Sequence, residues 1–252
     1  MNFNFDTPVS RRDTNSYKWD SAPAGVLPMW VADMDFPTAP AIVRALQRRV
    51  AHGIFGYTRV PDAYYRAVSA WFGSRHAGPS PRTTCFTPRA WCRPFSHHQG
   101  AYPPGDRVMV QTPVYNCFFS SIRNNGCEVA PCPLRRQGLT YEMDFDRLEH
   151  EAANPRTTLM LLCNPHNPVG RVWTRQELRR VGEICGRHGV TVVADEIHCE
   201  LVFEGHTYTP FAACNPELAA HTVSCLSPSK AFNMAGLQIA TIVAADRRAS
   251  PH

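Results

Sequence analysis

The sequence predicts an α/β fold, a mainly parallel sheet flanked by helices, and three observations carry that expectation. From Arg107 to Leu226, short apolar runs alternate with helical patterning, the order expected of strands joined by crossover helices. The runs Val190–Ala194 and Thr222–Leu226 are almost continuously apolar, as strands covered on both faces tend to be. Thr174 stands three residues before Glu177, the capping-box spacing that opens a helix.

The elements follow in order. Residues 1–40 read as an irregular N-terminal arm rich in Asn, Asp and Pro, and residues 41–252 as one large domain. Ala41–His52 and Asp62–His76 have helical patterning, separated by the glycine-punctuated turn Gly53–Thr58. Arg107–Gln111, Cys127–Ala130 and Thr158–Cys163 read as strands, Asn116–Asn124 and Thr174–His188 as helices. The stretch 89–103, with Pro94 and a histidine pair, breaks the alternation. A proline inside a helix costs about 3 kcal/mol, so no regular long helix is expected there.

Composition excludes several functions. Hydrophobic residues at 44% and charged residues at 19% are ordinary for a soluble globular chain. No apolar run reaches the length a bilayer requires, and the polar, acid-bearing start is unlike a signal peptide. A cytoplasmic protein that engages no membrane is expected. The net charge of +5 is spread over single basic residues and Arg pairs, without the block or signature that nucleic-acid binding uses. Ten cysteines include no Cys-x-x-Cys pair, so buried structural thiols are expected and a metal site is not. Only two lysines are present, Lys18 and Lys230, which makes each more informative.

Four places carry chemistry, each just after an expected strand. Lys230 closes Ser227-Pro228-Ser229-Lys230; a partly desolvated amine there can form a Schiff base, and the serine hydroxyls suit a phosphate. Asp195 ends an apolar strand, where a carboxylate can keep a pyridine nitrogen protonated, and His198 lies three residues on. Asn164-Pro-His-Asn167-Pro-Val-Gly170 is a rigid turn whose amides can donate to a phenolic oxygen. Tyr115 follows Pro113-Val114 and can stack on a flat ring. Taken singly, each has a simpler reading: a solvated lysine, a helix-capping acid, a plain turn, a core tyrosine. Their joint occurrence after strands is what favours a site.

Together these strings resemble the fold-type I pyridoxal-phosphate enzymes, and more narrowly the cystathionine β-lyase branch among the class I and II aminotransferases. Arg11–Ser16, Trp19-Asp20, Leu27–Phe36 and Gly53–Thr58 carry the narrower resemblance. It implies pyridoxal 5'-phosphate as cofactor, with Lys230 as its Schiff-base lysine and proton shuttle. It further implies Asp195 at the pyridine nitrogen, Asn167 at the phenolic oxygen, His198 nearby and Tyr115 stacked on the ring. Ser227, helped by Ser229, would hold the phosphate. Tyr57 would reach the phosphate of a neighbouring subunit, which implies a homodimer. Val31 and Ala32 would lie along a small amino-acid substrate. The implied reaction is β-elimination from cystathionine or another cysteine S-conjugate; an aminotransferase and an inactive fragment are the alternatives.

Two departures from the family pattern bear on that expectation. Many aminotransferases place a phosphate-binding arginine eight residues after the lysine; Gln238 stands there, which favours the lyase branch. The family's small-residue phosphate loop is replaced by Arg89–Gln99, although the flanks Phe86–Pro88 and Pro104–Asp106 still match. A divergent loop or a local reading-frame excursion accounts for this, and the matching flanks favour the excursion. The chain also stops 22 residues after Lys230, whereas the resemblance implies a further strand, a long helix and a small C-terminal domain. Impaired activity and a truncated large domain are the resulting expectations.

Overall fold

Strands whose alternate side chains are apolar on both faces need cover on both faces, and the sheet of this protein has it. The computed structural model describes residues 4–76, 84–86, 103–214 and 216–244. In chain order the elements begin with α1 (Pro40–His52), α2 (Asp62–His76), β1 (Thr84–Phe86), β2 (Arg107–Thr112) and α3 (Cys117–Asn124). Next come β3 (Glu128–Pro133), β4 (Arg135–Gln137), β5 (Thr140–Glu142), α4 (Phe145–Ala152) and β6 (Thr157–Cys163). They end with α5 (Arg175–Arg187), β7 (Thr191–Asp195), α6 (Phe211–Cys214), β8 (Thr222–Leu226) and β9 (Thr241–Ala244).

Two compact units emerge: Val60–Ser227 with Ile239–His252, and Met1–Arg59 with Pro228–Gln238. The larger unit holds a seven-stranded sheet in the order β1-β9-β8-β7-β6-β2-β3. Strands β3, β2, β6, β7 and β8 run parallel, and β9 and β1 are antiparallel additions. Side chains of opposite parity feed two cores. Met109, Met160, Leu162, Val192 and Ala194 pack with residues of α4, α5 and α6. Val108, Val110, Leu159, Leu161 and Val193 pack with Phe118 and Ile122 of α3. That two-sided burial is why these strands read as continuous apolar runs.

Local chemistry sets the helix ends as expected. Thr174 and Glu177 form the reciprocal capping box at α5. Gly182 lets that helix approach its neighbour, since a Cβ there would lie 1.9 Å from Leu218 Cδ1. The hairpin β4–β5 and helix α4 were not legible as elements; the hairpin is largely exposed, and α4 is capped by Asp144, whose carboxylate accepts from the Arg147 nitrogen at 3.0 Å. The stretch 89–103 lies outside the described residues apart from Pro103.

In the smaller unit α1 is amphipathic and ends at Gly53, whose φ of 75° is one that a Cβ-bearing residue adopts with strain. No helix among the described residues is long and apolar enough to cross a membrane.

Candidate functional site

Parallel strands deliver their carboxyl ends to one edge of a sheet, and ligands of open α/β sheets bind outside that edge. In the larger unit, Cys163, Asp195 and Cys225 lie side by side in register where β6, β7 and β8 approach their ends. The ladder continues one residue further: the Asn164 nitrogen donates to the Asp195 carbonyl at 2.9 Å and the Glu196 nitrogen to the Cys225 carbonyl at 3.0 Å. Asp195 is 5% exposed, and one carboxylate oxygen accepts from the Ile197 nitrogen at 3.3 Å. Buried among these strands, the Cys163 and Cys225 thiols are pushed well up, by desolvation first and then by the Asp195 charge. They stay protonated and are poor nucleophiles.

The turn after β6 is held from within. The Asn167 nitrogen donates to Cys163 Sγ at 3.3 Å and Trp173 Nε1 to the Cys163 carbonyl at 3.0 Å. The Asn167 side-chain amide, half-buried, has no hydrogen-bond partner among the described residues. His166, 2% exposed, donates from Nε2 to the Pro113 carbonyl at 2.9 Å. That bond ties the Asn167 turn to the turn carrying Tyr115, whose ring packs on the core and lies 6.3 Å from that of Phe118. Burial lowers the His166 pKa to about 4, so its imidazole is neutral near pH 7.

Glu196, 1% exposed, gathers the strand ends. Its Oε1 accepts from Asn164 Nδ2 at 3.1 Å and from the Phe211 nitrogen at 2.8 Å. Desolvation pushes its pKa up, against the pull of these hydrogen bonds. His198, half-buried, belongs to the turn after β7, and its carbonyl accepts from the Leu201 nitrogen at 2.9 Å. Ser227 follows β8, and its hydroxyl donates to the Ile239 carbonyl at 2.7 Å.

The remaining expected residues fall in the smaller unit. Ser229 is 5% exposed. Lys230 is half-buried and forms no ion pair among the described residues. Lys18, by contrast, is 7% exposed and bonded to Asp35 Oδ2 at 2.8 Å and to the Asp33 carbonyl at 3.0 Å. Val31 is half-buried and Ala32 exposed; they precede Asp33 and Asp35, which Arg11 grips at 2.7 and 2.9 Å. Tyr57 is fully exposed at 102%.

Sequence reasoning missed Asn164, Glu196 and His166, because their roles are contacts between strand ends far apart in the chain. One metal-type cluster exists among the described residues, His76, Cys199 and Glu200. Glu200 is already bonded to Trp71 Nε1 at 2.7 Å, to His76 Nε2 at 2.7 Å and to Arg75 Nε at 3.0 Å. A guanidinium on the carboxylate opposes a cation there, so the cluster is an ion-pair knot between α2 and the turn after β7.

A model of the family "Aminotransferase class I and II" matches residues 25–250. Cystathionine beta-lyase PatB of Bacillus subtilis is 44% identical over 250 residues, covering 97% of this chain and 65% of that protein. The pyridoxal-phosphate-bound C-S lyase from Staphylococcus hominis superposes with a TM-score of 0.92 at 31% identity, over 98% of this chain and 64% of that one. Cystalysin from Treponema denticola, which contains pyridoxal 5'-phosphate, gives 0.90 at 31% identity, over 99% and 65%. The chain thus spans about 65% of the length of these relatives.

Proposed function

Because the chain belongs to the class I and II aminotransferase family, we propose that it is the cofactor-holding part of a pyridoxal-phosphate-dependent carbon–sulfur β-lyase. The reaction is β-elimination from cystathionine or another cysteine S-conjugate, releasing a thiol, pyruvate and ammonia. The observation that carries this reading is the Asp195 carboxylate, 5% exposed at the carboxyl end of a parallel strand. A carboxylate in such a place holds an adjoining ring nitrogen protonated.

Residues of the larger unit suit the group: a buried carboxylate at Asp195 and a half-buried amide at Asn167. Pyridoxal phosphate, when bound, supplies an electron sink for the bond broken at the substrate α carbon. Asp195 would hold the ring nitrogen and Tyr115 would offer a ring face for stacking. The Asn167 amide, unbonded among the described residues, would donate to the phenolic oxygen, with His198 nearby. Ser227, whose hydroxyl here donates to the Ile239 carbonyl, would hold the phosphate, with Ser229 assisting. Lys230 Nζ would hold the cofactor and would take the proton from the substrate α carbon. Val31 and Ala32 line the substrate.

The chain acts in the cytoplasm as a homodimer in which Tyr57 reaches the phosphate held by the partner subunit. Exposed apolar residues of the smaller unit support an assembled state: Met29 is 84%, Ile54 68% and Phe55 67% exposed. Turnover is low, because Arg89–Gln99 lacks the family's small-residue phosphate loop. The test is pyruvate release from cystathionine by cofactor-loaded protein without added keto acid, at less than about 1 per second. Turnover that requires a keto acid would replace the lyase with an aminotransferase.

A further inference from the structure

Asn233 lies three residues past Lys230 and adopts a φ of 52°, in the left-handed region that asparagine enters more readily than most residues. Its side-chain amide is used almost completely. Nδ2 donates to the Met34 carbonyl and to the Phe36 carbonyl, both at 3.0 Å. Oδ1 accepts from the Met34 nitrogen at 3.0 Å. The amide therefore meets Met34 as a paired strand residue would, taking its N–H and supplying its carbonyl. A neighbouring bond acts in the same sense: Thr38 Oγ1 donates to the Phe232 carbonyl at 2.5 Å.

The same arm segment is also held from within the arm. Arg11 reaches Asp33, Asp35 and the Met34 carbonyl, while Lys18 and Trp19 Nε1 bond Asp35 at 2.8 and 2.7 Å. The Met34 carbonyl thus accepts from both Arg11 and Asn233, and the Met34 nitrogen donates to Asn233. An apolar pocket lined by Met34, Phe36, Thr38, Phe232 and Asn233 lies against the junction, and the Phe5 ring packs on Phe36 with centroids 4.9 Å apart. Directional hydrogen bonds join the arm to the lysine turn at Met34, Phe36 and Thr38.

We infer that Asn233 is a positioning residue: its amide locks the turn carrying Lys230 to the arm segment that follows Val31 and Ala32. The lysine amine and the substrate-side backbone then move as one piece. This rests on the reading of Lys230 as the cofactor lysine.

The test uses the full chain and three variants. Asn233→Gly accommodates the left-handed φ and removes the side chain with its amide. Thr38→Val removes the neighbouring bond, and Lys230→Ala serves as control. Amide hydrogen exchange, read without cofactor, is expected to rise in Asn233→Gly by about tenfold or more in 228–238 and in 31–38 together, each lost bond being worth about 1 kcal/mol. Thr38→Val should raise both by less, and the strands β6 and β7 should be unchanged in each. With pyridoxal phosphate added, Asn233→Gly should still be fixed at Lys230 by borohydride, with affinity lowered about tenfold or more. Loosening of 228–238 alone, or cofactor affinity within about twofold of the unsubstituted chain (too small for a lost positioning contact), overturns the inference. No borohydride mark on Lys230 in the unsubstituted chain removes the lysine reading, and the positioning role with it.

Discussion

Asn164 and Glu196, the first residues past β6 and β7, are joined by a hydrogen bond of 3.1 Å from Nδ2 to Oε1. The same Nδ2 donates to the Thr209 carbonyl at 3.0 Å, and the same Oε1 accepts from the Phe211 nitrogen. Two strand ends and the segment leading into α6 are fixed through these two side chains. That junction adjoins Asp195, whose backbone carbonyl accepts from the Asn164 nitrogen at 2.9 Å.

Glu196 is the first target. Burial raises its pKa above the ordinary 4.5, so the folded state holds its proton more tightly than the unfolded chain. The sign follows: its contribution is fully present below pH 4.5 and is lost as pH rises through the raised folded value. Glu196→Gln should therefore be more stable than the native chain at pH 8, with the difference vanishing near pH 4. Each 1 kcal/mol gained moves the thermal midpoint by about 2–4 °C. Glu196→Leu should instead be destabilised at all pH values, by about 1–3 kcal/mol for the Phe211 nitrogen left unpaired. Melts across pH 4–8 decide it, and a Gln variant less stable than native at pH 8 counts against the account.

His166 carries the opposite sign. Its folded pKa of about 4 lies below the ordinary 6.5, so the unfolded chain binds its proton first. Its contribution is present above pH 6.5 and is lost as pH falls towards 4, up to about 3 kcal/mol. His166→Gln should flatten the stability profile between pH 6.5 and 4. A slope equal to that of the native chain would refute it.

The two lysines offer a clean labelling experiment. Lys18 Nζ is bonded to Asp35 and the Asp33 carbonyl, whereas Lys230 is half-buried without an ion pair among the described residues. After treatment with pyridoxal phosphate and borohydride, peptide mass spectrometry should find the label on Lys230. Lys230→Ala should lose it, and a label on Lys18 alone would overturn the assignment.

Asp195→Asn removes the charge and keeps the shape. Hydrogen bonds to charged groups are worth about 1.5–3 kcal/mol, so pyridoxal-phosphate affinity should fall about tenfold to a hundredfold while the circular dichroism spectrum is retained. Equal affinity by fluorescence titration would remove Asp195 from the site.

Assembly is tested by complementation. A Tyr57→Phe chain and a Lys230→Ala chain, mixed and re-formed, should yield hybrid dimers with one site free of both lesions. Cofactor affinity in the mixture should exceed that of either variant alone. A strictly monomeric chain in sedimentation at micromolar concentration would refute the shared site.

The sequence by itself determined the five parallel strands and singled out the candidate residues that follow them. Apolar runs such as Thr222–Leu226 could be strands only if both faces were covered, and the capping box at Thr174 marked where a helix begins; both are local properties. The four strings ending in Tyr115, Gly170, His198 and Lys230 marked the positions just after strands for the same reason. Tertiary structure alone decided that Cys163, Asp195 and Cys225 share a row, because register is set by pairing between strands. It alone assigned Glu196 to Asn164, His166 to Pro113 and Asn233 to Met34. Each is a hydrogen bond between residues remote in the chain, a choice made by packing that no short window of sequence contains.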